Sequence, residues 1–134
     1  MIGGIPALKI KVEKVRVNGS AEKIYFSTEY GNAVANWDGD LPEEGMEYFV
    51  EIEISESLIL GSNLKICEEE KFTIGMEQNS VFLIGCLESI EDDGYAVFRF
   101  GESIISLEIE GTHPLESYFV KVVPDKITLY DVKY

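Results

Sequence analysis

The sequence predicts an all-β, single-domain protein spanning residues 1–134, an antiparallel β-sandwich or distorted β-barrel of roughly ten short strands. Apolar residues alternate at period two along most of the chain, turn residues recur at short intervals, and no stretch carries a helical period. Hydrophobic residues make up 46% of 134, enough for one core and too little for two independent ones. Seven Tyr, seven Phe and Trp37 argue against disorder in a highly charged chain.

Taken in order, Leu8, Ile10 and Val12 mark one strand face, with Lys9, Lys11 and Glu13 on the other. Val15 and Val17 resume the alternation one residue out of phase, so a bulge is expected near Glu13 and Lys14. Asn18-Gly19-Ser20 breaks the chain. Lys23 to Thr28 supplies a second strand, Tyr30-Gly31-Asn32 a turn, and Ala33 to Trp37 a short extended piece. Asp38-Gly39-Asp40-Leu41-Pro42 then has the chemistry of a turn followed by an irregular loop. The clearest strand follows, with Tyr48, Val50, Ile52 and Ile54 facing a core and Glu47, Phe49, Glu51 and Glu53 facing water. Gly61, Ser62 and Asn63 split Leu58 to Ile66 into two short pieces, and Glu68-Glu69-Glu70 reads as a solvated turn.

Lys71 to Met76 and Ser80 to Ile90 are the next strands, with Gly85 marking a bend or a close backbone approach. Asp93-Gly94 between β-rich runs signals a hairpin, and Phe100-Gly101-Glu102-Ser103 a second reversal. Val81 to Ile109 is thus expected to be a three-stranded antiparallel meander, closed by Gly111-Thr112-His113-Pro114. Tyr118, Val120 and Val122 begin another strand, and Ile127, Leu129 and Tyr130 end the fold. Leu107 and Val120 join the residues 48–54 of the alternating strand in the expected core.

Twenty-five Asp and Glu against eleven Lys and Arg, with one His, give a net charge of -14. Such a surface repels nucleic acid and anionic lipid and steers a basic macromolecule toward itself. No apolar run is long enough to cross a bilayer, and the opening residues lack the basic flank and apolar length of a signal peptide, so the expected location is cytoplasmic. Cys67 and Cys86 are expected to be separate buried thiols.

Motifs for chemistry are weak. His113 precedes Pro114 in an expected surface loop, and neither cysteine has a motif around it, so no catalytic residues are assigned. Two cysteines and one histidine at unrelated spacings make no zinc set. Asn36 to Glu47 imitates the spacing of a calcium loop, but Leu41 stands where that loop needs Gly and the flanks read as strands. No metal or cofactor is expected. Asp92-Asp93 suggests a small enzyme using surface carboxylates, yet turn chemistry accounts for both residues.

An OB-like barrel that binds nucleic acid is an alternative, with Tyr25, Phe49 and Tyr95 as exposed stacking platforms. Lys9, Lys11 and Lys14 form the one basic cluster, with Arg16 nearby, and these lysines are expected to pair with carboxylates such as Glu51 and Glu53 on a neighbouring strand, so direct nucleic-acid binding is not expected. Binding to a basic protein remains. Asp38, Asp40, Glu43 and Glu44 lie in one irregular connection beside Trp37, which serves either as an anchor in the partner surface or as a core residue at a strand end. Glu68, Glu69, Glu70, Asp92 and Asp93 complete the expected partner-binding set.

Four stretches carry a family resemblance: Ile24-Tyr25-Phe26 through Trp37-Asp38-Gly39; Pro42 to Ile52; Ile84-Gly85-Cys86-Leu87-Glu88 leading into Asp92-Asp93-Gly94; and Ile127-Thr128-Leu129-Tyr130. In their order the chain resembles small acidic bacterial immunity proteins of polymorphic-toxin and contact-dependent inhibition systems. That resemblance implies a non-enzymatic cytoplasmic inhibitor, favoured as a monomer, that neutralises a cognate basic toxin such as a nuclease at or near its active site. An acidic scaffold, a chaperone-like partner of a basic protein, or charge that serves only solubility would fit the residues as well.

Overall fold

The computed structural model describes residues 7–18, 21–111 and 114–132 and contains twelve strands and no helix among them. His113 and the Gly19-Ser20 break lie outside the described residues. β1 (Leu8–Asn18), β2 (Ala21–Thr28), β3 (Gly31–Asp38), β4 (Glu47–Glu53) and β12 (Thr128–Asp131) form a closed barrel in the order β1-β2-β3-β12-β4. The intervening segment forms a seven-stranded sheet. It contains β5 (Ser57–Leu58), β6 (Leu64–Ile66), β7 (Thr73–Glu77), β8 (Ser80–Ile90), β9 (Tyr95–Phe100), β10 (Ser103–Ile109) and β11 (Phe119–Val122), in the order β5-β10-β9-β8-β11-β6, with β7 also paired to β8.

Period-two alternation sets the barrel interior. Leu8, Ile10, Val12, Ile24, Phe26, Val50, Ile52 and Leu129 are buried, while the residues between them on β1, β2 and β4 are mostly exposed. The bulge is where the phase change in the sequence put it. The β1–β2 register shifts between Val12 and Lys14, leaving Glu13 as the extra residue, and Ser27 Oγ donates to Glu13 Oε2 at 2.6 Å. Beyond the bulge β1 no longer follows β4, whose pairing with it runs from Leu8–Val50 to Lys11–Glu47. Lys9 accordingly pairs with Glu47 at 3.4 Å. The expected partners Glu51 and Glu53 stand instead across from β12, opposite Tyr130 and Thr128.

β8, β9 and β10 form the expected meander, and the sheet packs its inner face on the barrel in one continuous core that includes Phe98, Phe100, Leu107 and Val120. Tyr48 is half-buried against that core. Gly85 marks a close approach: a Cβ there would overlap the carbonyl of Arg99 and the ring of Phe98. At the junction of the two parts the β2–β3 turn docks on β7. Ile74 N–H donates to the Tyr30 carbonyl at 3.0 Å, and a Cβ on Gly31, at φ +135°, would overlap the Ile74 carbonyl.

Not every pairing is antiparallel. β12 runs parallel to β3 and β5 parallel to β10. Cys67 and Cys86 are free and half-buried. β11 separates them, since Phe119 accepts from the Cys67 N–H and is the cross-strand partner of Cys86, and a disulfide does not span two strand spacings. Burial, and then the carboxylate of Glu88, raises the Cys86 thiol pKa.

Candidate functional site

Trp37 is the first correction. It is only 6% exposed, with its indole edge-on to Tyr48 at 5.4 Å and its Nε1–H donating to the Asp40 carbonyl at 2.8 Å. The cause lies in β3, where Ala33, Ala35 and Trp37 alternate inward. Two small residues leave the barrel room for one large one. Trp37 is therefore a core residue that shapes the following loop, not an anchor on a partner.

That loop is tied down along its length. Tyr48 Oη accepts the Glu43 N–H at 2.8 Å, Glu44 Oε2 accepts the Val15 N–H at 2.8 Å, and Gly45 N–H donates to the Val12 carbonyl at 2.7 Å. Glu44 thereby satisfies a backbone donor of β1 just past the bulge, where β4 no longer reaches. Asp38, Asp40, Glu43 and Glu44 remain exposed on a shaped surface. The calcium-loop imitation ends here, because Asn36 and Trp37 belong to β3.

The other carboxylates lie elsewhere. Glu68, Glu69 and Glu70 are exposed in the β6–β7 connection, and Glu70 lines a groove of about 660 Å³ with Glu29, Tyr30 and Phe72. This groove sits at the Gly31 end of β3, whereas Asp38 is at the other, about 23 Å away at about 3.3 Å per strand residue. Asp92 and Asp93, both exposed, share a depression of about 390 Å³ with Ser57, Glu108 and Glu110. Asp93 Oδ1 also accepts the Tyr95 N–H at 3.0 Å, the turn role expected of it. The fold thus keeps Asp38–Glu44 and Glu68–Glu70 apart and gives Asp92 and Asp93 two new carboxylate neighbours.

Tyr30 is the group in this region that sequence reading passed over as a turn residue. Its hydroxyl donates to Glu102, and its ring packs edge-on against Phe72 and Phe100. Burial, then hydrogen bonding to Glu102 and Glu29, pushes its pKa well above the ordinary tyrosine value. Glu102 comes from the β9–β10 turn, which no local signal links to Tyr30. Across the barrel, Tyr130 donates to Glu53 Oε1 at 2.9 Å, and that bond raises its pKa.

Three ion pairs occur among the described residues: Lys9 with Glu47, Arg99 with Glu88, and Lys121 with Glu77. None of the three uses Asp38, Glu43, Glu44, Glu68, Glu69, Glu70, Asp92 or Asp93. No group of three or more His, Cys, Asp or Glu among the described residues is arranged to hold a metal ion. No helix long and apolar enough to cross a membrane is present among them. Compared with known proteins, the chain matches no family model, no curated protein and no solved structure.

Proposed function

We propose that this protein is a non-catalytic, cytoplasmic inhibitor that binds a basic protein through its acidic surface, as an immunity protein binds its cognate nuclease toxin. One observation carries the reading: Asp38, Glu43, Glu44, Glu68, Glu69, Glu70, Asp92 and Asp93 are all exposed, and none of these eight carboxylates takes part in the ion pairs Lys9–Glu47, Arg99–Glu88 and Lys121–Glu77. Against a net charge of -14, that leaves a field able to steer a cationic partner. Glu43 and Glu44 are the best-placed contacts, because their loop is held by backbone and side-chain bonds on both sides and loses little freedom on binding.

The test is coexpression with a basic toxin domain encoded beside this protein's gene, followed by co-purification. Rescue of growth without modification of the toxin, and association near 10⁸ M⁻¹s⁻¹ at low salt that slows steeply as salt rises, on the scale of electrostatic steering, are the expected results. A pair that neither rescues nor co-purifies ends the proposal.

A second reading is favoured by topology. The order β1-β2-β3-β12-β4, closed by a parallel β3–β12 pair, is the connectivity of five-stranded Greek-key barrels of the OB type, and Tyr25, Phe49 and Tyr95 are each about two-fifths exposed. Connectivity is not function, and the net charge opposes a long polyanion.

A further inference from the structure

The outer face of β2 and β3 carries two cross-strand pairs set by register: Lys23 lies opposite Asn36, and Tyr25 opposite Val34. The segment entering β12 extends that face. Asn36 N–H donates to the Ile127 carbonyl at 2.9 Å, and Thr128 pairs with Asn36, which brings Lys126 to the edge of the same face. Lys126, two residues before Thr128, is level with Val34, so Lys23 and Lys126 stand on either side of β3, two strand spacings across and two residues along, about 12 Å apart at the backbone. Long, flexible side chains at that distance can converge on one anion. Neither lysine has an ion-pair partner among the described residues, although the chain holds 25 carboxylates.

The opposite wall is the β7–β8 hairpin. Met76 and Val81 are a cross-strand pair within it, and together with Ile127, Val34 and Ala35 they make the apolar lining of a groove of about 400 Å³. The hairpin turn is Gln78-Asn79, with φ of 50° and 66°, a conformation that ordinarily selects Gly or Asn-Gly. Positive φ at both central residues is what the two-residue turn closing Glu77 on Ser80 requires, and it holds Asn79 in the lining of this groove. Tyr25, 41% exposed, offers a ring face to it.

We propose that this groove binds a small phosphate monoester of mononucleotide size, its phosphate between Lys23 and Lys126 and its planar group against Tyr25. The volume suits a ligand of that size. The amides of Asn36 and Asn79 supply donors and acceptors for the edge of a planar ring. Asp125 also lines the groove and limits its positive charge. A short anion meets two lysines and one aspartate, whereas a long one would run onward over the carboxylates of a protein at -14. This proposal stands apart from the inhibitor reading, since it uses none of the carboxylates on which that reading rests.

The experiment is a two-dimensional amide NMR titration of the intact protein with adenosine 5′-monophosphate, uridine 5′-monophosphate, inorganic phosphate and an oligothymidylate. Saturable shifts centred on Lys23, Asn36, Asn79 and Lys126 with the nucleotides, weaker ones with phosphate alone, are expected. The double substitution Lys23→Gln, Lys126→Gln should weaken binding by about tenfold or more, Asp125→Asn should strengthen it, and Lys9→Gln, remote from the groove, should change nothing. All four positions are solvent-exposed, so the variants retain the fold. No saturable shifts at millimolar nucleotide, shifts centred elsewhere, indifference to the double substitution, or tighter binding of the oligothymidylate than of the monophosphates would each overturn it.

Discussion

Four of the five barrel strands come from residues 8–53 and the fifth from residues 128–131, whereas all seven strands of the open sheet come from the stretch between. The barrel has no free edge, because β4 returns to β1. The sheet is open: its path ends on β5, two residues long, and β6, three, and β7, off that path and paired to β8, has its Ile74 N–H bound to the Tyr30 carbonyl, so little edge is left to template another chain. Hairpins between consecutive strands make three of the sheet's six pairings, β7–β8, β8–β9 and β9–β10, and two of the barrel's five, β1–β2 and β2–β3; each part also holds one parallel pair between distant segments, β5–β10 and β3–β12. Both parts feed a single core, so the difference in construction does not predict two separate folding units.

That claim is the easiest to break. Phe98→Ala, at a fully buried site in the sheet, should cost about 3–5 kcal/mol. Trp37 lies in the barrel and is the lone tryptophan, so its fluorescence reports on the other region. The urea transition followed by fluorescence should shift together with that followed by circular dichroism. A fluorescence midpoint that stays put while the dichroism moves would show two units.

The junction sharpens the same comparison. Gly31→Ala forces a Cβ into the Ile74 carbonyl at a left-handed φ and should cost about 2–3 kcal/mol. Gly45→Ala, at φ +85° with nothing within 4 Å, should cost about 1 kcal/mol from backbone strain alone. Equal thermal shifts for the two would mean that the β2–β3 turn does not hold the regions together.

Tyr30 gives the junction a pH signature. Its folded pKa is raised, so the neutral phenol is the form the fold favours, and its contribution is fully present below the ordinary value of 10 and lost as pH rises above it. Tyr30→Phe should lower stability near neutral pH by about 1 kcal/mol, the scale of a net hydrogen bond, and flatten the decline above pH 10. Urea midpoints between pH 7 and 11 that fall in parallel for both proteins would contradict it. The smallest effect belongs to the barrel rim. Lys9→Met removes an exposed ion pair and should change stability by less than about 0.5 kcal/mol in urea titration.

What the sequence made legible follows the locality of each signal. The phase change at Glu13, the Asp93-Gly94 turn and the alternation of Tyr48 to Ile54 sit within a few residues of the structure they specify, and the bulge, the hairpin and the amphipathic strand are all present. The parallel β3–β12 pair has no turn to announce it, so barrel closure was open to either architecture, sandwich or barrel. The same limit hid the groove: Lys23 and Tyr25 are readable as an outward face of β2, but Lys126 reaches them only through that long-range pairing. Trp37 was ambiguous for another reason. Ala33 and Ala35 are too small for their alternation to distinguish an inward from an outward face.

The late arrival of β12 has a consequence for the nascent chain. Residues 54–127 must leave the ribosome before the barrel can close, a wait of several seconds at about 5–20 residues per second. During it the edges of β3 and β4 lie open, both carrying apolar residues that would template association with another chain. β4 spends that interval with Glu47, Glu51 and Glu53 on its outer face, and β3 ends on Asp38. Repulsion between such half-made barrels is a use for negative charge that operates before any partner is met.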